Sequence, residues 1–150
     1  MHENQIREII EELIDTFLYA GKLSLKLREE GLIKQIKDDN TPVSNGDLEV
    51  NRILIEKIKV LTPDIPIVSE ETSHNKTKKD LINFWLIDPI DGTYDYINNL
   101  DEFTLNAGLI INKQAVAGII YAPAKNRLFY SYGKNNSFEK IGNSIQKMDT

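Results

Sequence analysis

The sequence predicts an α+β fold, in which helices are layered on a largely antiparallel β-sheet. Two stretches with helical periodicity come first, and the later candidate elements are mainly short strands with hairpin-length connections. There is no glycine-rich dinucleotide fingerprint and no Walker loop. A length of 150 residues is typical of one domain, and a hydrophobic content of 41% is enough for a packed core.

Two amphipathic helices are predicted in the first 61 residues. The first covers 4–30, and its buried face is expected to contain Ile6, Ile9, Ile10, Leu13, Ile14, Phe17, Leu18 and Gly21. The second covers about 47–61, and its buried side is expected to contain Leu48, Ile53, Leu54, Ile58 and Leu61. Residues 37–46 are typical of a loop, although Ser44 and Asp47 have the spacing of a helix capping box.

After Pro63 the sequence favours strands. The predicted strands lie at 65–68, 84–87, 103–111, 115–121, 127–132 and near Phe138. A helical turn is expected at 93–99. The first of these strands runs into Glu70 and Glu71, and the second runs into Asp88.

The composition excludes several classes of function. Acidic residues outnumber Lys and Arg by 23 to 18, which argues against a protein that binds a nucleic-acid backbone. The absence of cysteine excludes disulfides, zinc–thiolate sites and thiol nucleophiles. No stretch is apolar enough for a transmembrane segment, and the N-terminus has no signal-peptide core, so a cytoplasmic location is expected.

Carboxylates stand at the boundaries of the predicted elements. Asp47 begins the second helix, Glu70 and Glu71 follow one strand, and Asp88 and Asp91 flank the turn after the next. Strand ends that lie side by side would bring such residues into one cleft. Converging carboxylates repel each other and need cations, and ligand sets made only of oxygen suit Mg²⁺.

The backbone after these acids suits an anion. Gly92 lets the chain approach a ligand closely, and the amides of residues 92–94 begin a short helical turn.

Each signal also has a plain structural interpretation when it is taken alone. Asp47 could serve only the helix dipole, and the Asp88–Gly92 stretch could be only a tight turn. Asp47, the Glu70-Glu71 pair and the Asp88–Gly92 stretch, in this order, indicate a metal and phosphate site more strongly together than any one of them does alone.

The series Asp47, Glu70-Glu71 and Asp88-Pro89-Ile90-Asp91-Gly92-Thr93 resembles the magnesium-dependent, lithium-sensitive phosphatases of the inositol monophosphatase superfamily. The resemblance runs from about residue 6 to about residue 133. It implies the N-terminal subdomain of the inositol monophosphatase/fructose bisphosphatase fold. Stretches such as DDNTPVSNGD are most similar to the 3'(2'),5'-bisphosphate nucleotidase branch, which converts adenosine 3',5'-bisphosphate, a by-product of sulfate activation, to AMP and phosphate.

Two positions depart from that branch. Tyr94-Asp95-Tyr96 stands where the branch tends to have Lys-Glu-Phe, and Ser44 stands where it usually has Thr. The departures leave an inositol monophosphatase or a related sugar-phosphate phosphatase open. In either case the implied partner is a small phosphorylated substrate, a nucleotide bisphosphate or an inositol phosphate.

The resemblance also implies roles for individual residues. Glu70, Asp88 and the Ile90 carbonyl would hold a first Mg²⁺, which activates the attacking water, and Asp88 and Asp91 would reach a second. Thr93 with Asp47 would orient and help deprotonate that water, which gives Glu70, Thr93 and Asp47 catalytic roles. The amides of Gly92 and Thr93 would cradle the phosphate. Glu71 would lie just behind the ligands or near a weaker metal.

A further family motif, Trp-Asp followed by small residues and glycine, is absent, since the only tryptophan is Trp85. Residues 1–150 are therefore expected to form a single truncated domain, the metal-binding part of the phosphatase fold without its C-terminal subdomain. One face of the sheet should lack its cover and favour association. Low or absent activity is expected for the chain alone, and a non-catalytic family remnant is the alternative to an enzyme.

Overall fold

The computed structural model describes residues 1–69 and 81–148 and confirms an α+β fold there. Glu70 and Glu71 lie outside the described residues. The described helices are α1 (Glu3–Glu30), α2 (Asn45–Leu61) and α3 (Thr93–Ile97), with a 3-10 turn at Pro123–Lys125. The described strands are β1 (Lys34–Ile36), β2 (Pro42–Ser44), β3 (Ile67–Ser69), β4 (Phe84–Asp91), β5 (Thr104–Ile111), β6 (Gln114–Ala122), β7 (Arg127–Tyr132), β8 (Ser137–Ile141) and β9 (Ser144–Lys147).

Most of the described strands form one sheet in the order β3-β4-β5-β6-β7-β8-β9. β3 pairs with β4 in parallel, and every other pair of neighbours in this sheet is antiparallel. The largely antiparallel sheet is thus as predicted. The turn between β5 and β6 places Asn112 and Lys113 both at positive φ, the geometry of a two-residue hairpin that follows the twist of the strands.

Helix α1 covers the inner face of the sheet at β6 and β7. Its apolar periodicity forms the predicted stripe, in which the buried residues are Ile6, Ile10, Leu13, Phe17, Ala20, Gly21 and Ser24. Gly21 allows close approach to the sheet, because a Cβ there would lie 2.2 Å from the ring of Tyr121. Gly21 is therefore buried as expected, at a point where the helix lies close to the sheet.

Helix α2 packs beside α1 and over β4. It begins at Asn45, two residues earlier than predicted, because Ser44 acts as the N-cap of a reciprocal capping box with Asp47. The prediction that Leu48 is buried was wrong, since 42% of it is exposed. The buried stripe runs through Asp47, Val50, Leu54 and Ile58, and Leu48 lies about 100° around the helix from Asp47.

Several strand boundaries differ from the prediction. The expected loop at 37–46 ends in β2, which pairs with β1, and Pro42 is tolerated there because it is the first residue of the strand. The strand predicted to end at residue 87 continues as β4 to Asp91. β9 was not predicted, because its residues are polar and exposed and carry no alternating apolar signal.

The two faces of the sheet differ. Side chains of the inner face, such as Trp85, Leu105 and Ile119, are buried against α1 and α2. The outer face includes Leu86 and Ile120, which stay exposed, and none of the described helices packs on it. None of the described helices combines the length and the apolar character that a membrane-spanning helix needs.

Candidate active site

Asp47 is a fully buried carboxylate in the first turn of α2. Its Oδ2 accepts hydrogen bonds from the backbone N–H of Ser44 at 2.9 Å and from the Ser44 hydroxyl at 2.5 Å. Both donors come from the residue that caps the helix. The same sequence signal that starts α2 therefore fixes the orientation of this carboxylate and leaves Oδ1 pointing to another partner.

That partner is Thr93, at the start of α3. The Thr93 hydroxyl donates to Asp47 Oδ1 at 2.9 Å and also lies 3.2 Å from the carbonyl oxygen of Ile90. The preceding Gly92 has φ 89°, and a Cβ there would lie 2.7 Å from the carbonyl oxygen of Glu102. Only glycine fits this turn, and the turn brings Thr93 to Asp47.

Tyr96 packs between α1 and the first turn of α2 and so supports the contact of Thr93 with Asp47. Its side chain is fully buried, and its hydroxyl donates to the carbonyl oxygen of Ser24 in α1 at 2.6 Å. A Cβ on Gly46 would lie 2.1 Å from the Tyr96 hydroxyl, so α2 can begin here only with glycine beside Asp47. Burial raises the pKa of Tyr96, and the charge of Asp47 raises it further, so the hydroxyl remains a donor at neutral pH.

Arg28, in the last turn of α1, packs against the aromatic rings beside this site. Its guanidinium lies 5.7 Å from the ring centre of Tyr96 and 5.0 Å from that of Phe103. It donates to the carbonyl oxygen of Leu100 at 2.7 Å and to Asp101 at 3.0 Å. The sequence reasoning did not single out Arg28, Gly46 or Tyr96 for this role. A sequence signal for Gly46 does exist, because glycine in the first turn of a helix lowers its stability. Such a glycine indicates a position where a neighbouring group leaves no space for a side chain.

Asp88 and Asp91 lie near the end of β4. Asp88 is opposite Asn106 on β5, Asp91 is opposite Thr104, and the register shifts between them. The irregularity breaks the strict alternation of inward and outward residues, since Pro89 and Ile90 are both buried. Asp88 is half-buried and Asp91 is exposed. The parallel neighbour β3 ends at Ser69, which is paired with the residue just before Asp88.

The donors in this region suit a hard divalent cation. Asp88, Asp91 and the Ile90 carbonyl offer only oxygen atoms, the ligand type that Mg²⁺ prefers. Among residues 1–69 and 81–148, no three acidic or histidine side chains lie close enough together to form a metal centre. The remaining predicted ligand, Glu70, and its neighbour Glu71 lie outside the described residues. The donor chemistry fits the cation, and the described residues supply part of the set.

The chemistry open to this arrangement follows from Asp47 and Thr93. A buried carboxylate that accepts from a hydroxyl can take up a proton relayed through it, or can hold the hydroxyl so that its oxygen orients a water molecule. The described structure brings the Thr93 hydroxyl, Asp47 and the Ile90 carbonyl together, and their roles in catalysis stay predictions. Asp88 and Asp91 lie on the same strand, β4.

Comparison with known proteins identifies relatives over most of the chain. The model of the inositol monophosphatase family matches residues 5–146. The 3'(2'),5'-bisphosphate nucleotidase CysQ of Haemophilus influenzae is 33% identical over 131 residues, which are 86% of this chain and 49% of that protein. The protein of the same name from Buchnera aphidicola is 31% identical over 146 residues, 95% of this chain and 55% of that protein. The chain spans about half the length of the curated relatives it matches.

Solved structures show the same fold. The Thermotoga maritima IMPase superposes with a TM-score of 0.75 at 24% identity, over 90% of this chain and 51% of that chain. The extragenic suppressor protein suhB of Bartonella henselae superposes with a TM-score of 0.78 at 21% identity, over 89% and 52%. An IMPase/NADP phosphatase complexed with Mg²⁺ and phosphate superposes with a TM-score of 0.75 at 16% identity, over 89% and 51%.

Proposed function

Because the chain belongs to the inositol monophosphatase family, we propose that it forms the metal-binding and water-binding half of a magnesium-dependent phosphomonoesterase. The contact between Thr93 and Asp47 carries the proposal. It links a hydroxyl in the Asp-Pro-Ile-Asp-Gly-Thr motif to a buried carboxylate 46 residues away. A plain turn and a plain helix cap would not require that link.

In this proposal each residue has a defined task. Glu70, Asp88 and the Ile90 carbonyl would hold one Mg²⁺, and Asp88 with Asp91 would reach a second. Bound magnesium would supply Lewis acidity and would offset the charge of the phosphate. Asp47 holds the Thr93 hydroxyl so that the hydroxyl oxygen orients the attacking water. As that oxygen takes a proton from the water, the hydroxyl proton passes to Asp47. The amides of Gly92 and Thr93 face the phosphate, and Glu71 supports the ligands.

The proposed substrate is a nucleotide bisphosphate such as adenosine 3',5'-bisphosphate. The curated relatives named above carry the name 3'(2'),5'-bisphosphate nucleotidase. At 33% and 31% identity they are more similar to this chain in sequence than the Thermotoga maritima IMPase is, at 24%. An inositol phosphate is the second candidate, because Tyr94-Asp95-Tyr96 departs from the nucleotidase pattern and solved IMPase chains share the fold. With either substrate, the proposed location of the protein is the cytoplasm.

A magnesium titration of the purified chain tests the metal assignment without requiring turnover. We expect saturable Mg²⁺ binding by calorimetry, and binding at least about tenfold weaker in Asp88→Asn, which removes one charge from the ligand set. Asp64→Asn is the matched control, because Asp64 is an exposed aspartate in the loop after α2. Equal binding by Asp88→Asn and the unchanged chain would contradict the assignment, as would no binding at all.

A further inference from the structure

Asn51 and Ser69 form a buried polar pair between α2 and β3. The Ser69 hydroxyl donates a hydrogen bond to Asn51 Oδ1 at 2.5 Å. Asn51 is 3% exposed and Ser69 is 1% exposed, so water competes little for this bond. Neither residue has a task in the activity proposed above, and the reason for placing a polar pair here has to be found in what the two residues hold together.

Ser69 is the last residue of β3 and stands at an inner-face position of the sheet. Its partner in the parallel ladder is Ile87, which is 1% exposed and immediately precedes the candidate ligand Asp88. An apolar side chain is usual at such a position. A hydroxyl buried there needs a hydrogen-bond partner, and Asn51 supplies an acceptor for it.

The strand β3 benefits from an anchor because it is short and lies at the edge of the sheet. It contains three residues, Ile67–Ser69, and within the described sheet it pairs with β4 alone. Elements with few ladder hydrogen bonds are the ones that open locally at low cost in free energy. The bond from Ser69 to Asn51 ties the end of this short strand to α2, a helix of 17 residues.

Asn51 lies one helical turn after Asp47. Residues four apart project from the same side of a helix, and both of these side chains are buried. Asp47 accepts from Thr93 at the start of α3, and Asn51 accepts from Ser69, the residue before the proposed ligand Glu70. One side of α2 therefore contacts the chain both where β3 ends and where α3 begins.

Stability alone does not call for a polar pair at this place. Replacing both partners of a buried hydrogen bond by apolar groups is often nearly neutral, and apolar packing has no fixed direction. A hydrogen bond restricts both the distance and the angle between its atoms. The pair of Asn51 and Ser69 therefore suits a position where the end of a strand has to be held at one point along a helix.

We propose that Asn51 is a positioning residue of the candidate metal site. It holds the end of β3 and thereby sets where the chain leaves the sheet towards Glu70. Consecutive Cα atoms are about 3.8 Å apart, so a displacement of Ser69 moves the next residue with it. This inference rests on the proposed function, because it takes Glu70 and Asp88 as Mg²⁺ ligands, and it assigns Asn51 no contact with metal or substrate.

Calorimetric titration of the purified chain with Mg²⁺ tests the inference without requiring turnover. We expect Asn51→Ala and Ser69→Ala each to bind Mg²⁺ at least about tenfold more weakly than the unchanged chain. Because the two residues act through one bond, the double variant should be no more than about twofold weaker than the weaker single variant. Ser69→Thr keeps the hydroxyl and should bind within about threefold of the unchanged chain.

Thr62→Val is the matched control at the other end of α2. The Thr62 hydroxyl accepts from Trp85 Nε1 at 3.0 Å, and Thr62 is 6% exposed, so this variant also removes a buried hydrogen bond between α2 and the sheet. We expect Thr62→Val and Asn51→Ala to lower the melting temperature by a similar amount, about 2–4 °C. Only Thr62→Val should keep Mg²⁺ binding within about twofold of the unchanged chain.

Hydrogen exchange by NMR tests separately whether Asn51 holds β3. In Asn51→Ala the amides of β3 should exchange at least about tenfold faster relative to those of β6, and in Thr62→Val they should not. An unchanged relative rate would overturn the inference. Mg²⁺ binding that is equal in Asn51→Ala and the unchanged chain, or equally weakened in Thr62→Val, would overturn it as well. No Mg²⁺ binding by the unchanged chain would instead overturn the proposed function, and the role of Asn51 at the metal site with it.

Discussion

At the scale of single residues, Asp47 uses its two carboxylate oxygens for different purposes. Oδ2 accepts from Ser44 and completes the cap of α2, whereas Oδ1 accepts from Thr93 and ties α3 to α2. The structural interpretation and the catalytic interpretation of Asp47 therefore do not compete. A cap that holds the carboxylate still is what gives the Thr93 hydroxyl a fixed acceptor.

Removing the Thr93 hydroxyl tests this link. We expect Thr93→Val to lower the free energy of unfolding by about 1–3 kcal/mol, because a buried oxygen of Asp47 loses its donor. Thr93→Ser keeps the hydroxyl and should cost less than half as much. Urea denaturation followed by circular dichroism measures both. Equal stability of the valine and serine variants would show that the hydrogen bond does not hold α3 in place.

The sequence made the pairing of Thr93 with Asp47 predictable only through the family resemblance. Their separation of 46 residues carries no periodic signal, and local pattern alone left a turn and a helix cap as sufficient explanations. The part played by Tyr96 was not predictable, because a tyrosine in a polar stretch gives no indication that its hydroxyl will reach Ser24, 72 residues away.

At the scale of elements, α2 is positioned by its first turn. Ser44 and Asp47 satisfy each other's backbone N–H groups, and Gly46 lies against Tyr96. The helix axis and the candidate site are thereby fixed at the same point. Helices α1 and α2 were predictable because apolar periodicity and capping signals agree in them.

Breaking the cap tests the importance of this first turn. We expect Ser44→Ala to lower the free energy of unfolding by about 1–2 kcal/mol, because the N-cap acceptor for the Asp47 N–H and the hydroxyl donor to Asp47 Oδ2 are lost, while the backbone N–H donor remains. Ser44→Thr, the residue usual in the nucleotidase branch, retains both functions and should stay close to the unchanged chain. Thermal or urea unfolding provides the measurement, and a stable alanine variant would contradict the role of the cap.

Strand ends were harder to predict than helices. β4 runs through Pro89 to Asp91, whereas proline usually marks a strand end, and the register shift after Asp88 absorbs its missing N–H. β9 has an exposed sequence at the sheet margin, and pairing with β8 rather than apolar alternation defines it. In both cases the neighbouring strand, which local sequence does not reveal, decides the outcome.

At the scale of the whole molecule, the two faces of the sheet differ in whether the described helices cover them. The inner face of the sheet is covered by α1 and α2, whereas on the outer face Leu86 and Ile120 stay exposed. No cluster of three acidic or histidine ligands forms within the described residues. We propose that residues 1–150 act as one domain, the metal-binding part of the family's fold, and the chain spans about half the length of the curated relatives it matches.

This leads to a prediction about activity. We expect phosphate release from adenosine 3',5'-bisphosphate by residues 1–150 alone to stay near background in Mg²⁺, because these residues contain no Trp-Asp motif to complete the proposed ligand set. A fusion of residues 1–150 to the unmatched second half of the Haemophilus influenzae relative should release phosphate, and the same fusion carrying Asp88→Asn should not. Robust turnover by the chain alone would contradict this prediction, and faster release from inositol 1-phosphate would favour the second candidate substrate.

The contact between Gly21 and Tyr121 has a consequence for synthesis of the chain. Helix α1 leaves the ribosome first, but the strand that covers its Gly21 face is completed about 100 residues later. At roughly 5–20 residues per second, α1 exposes its apolar stripe for about 5–20 s before β6 can cover it. The Asp47–Thr93 contact can form within that interval, because Thr93 is synthesised before Tyr121.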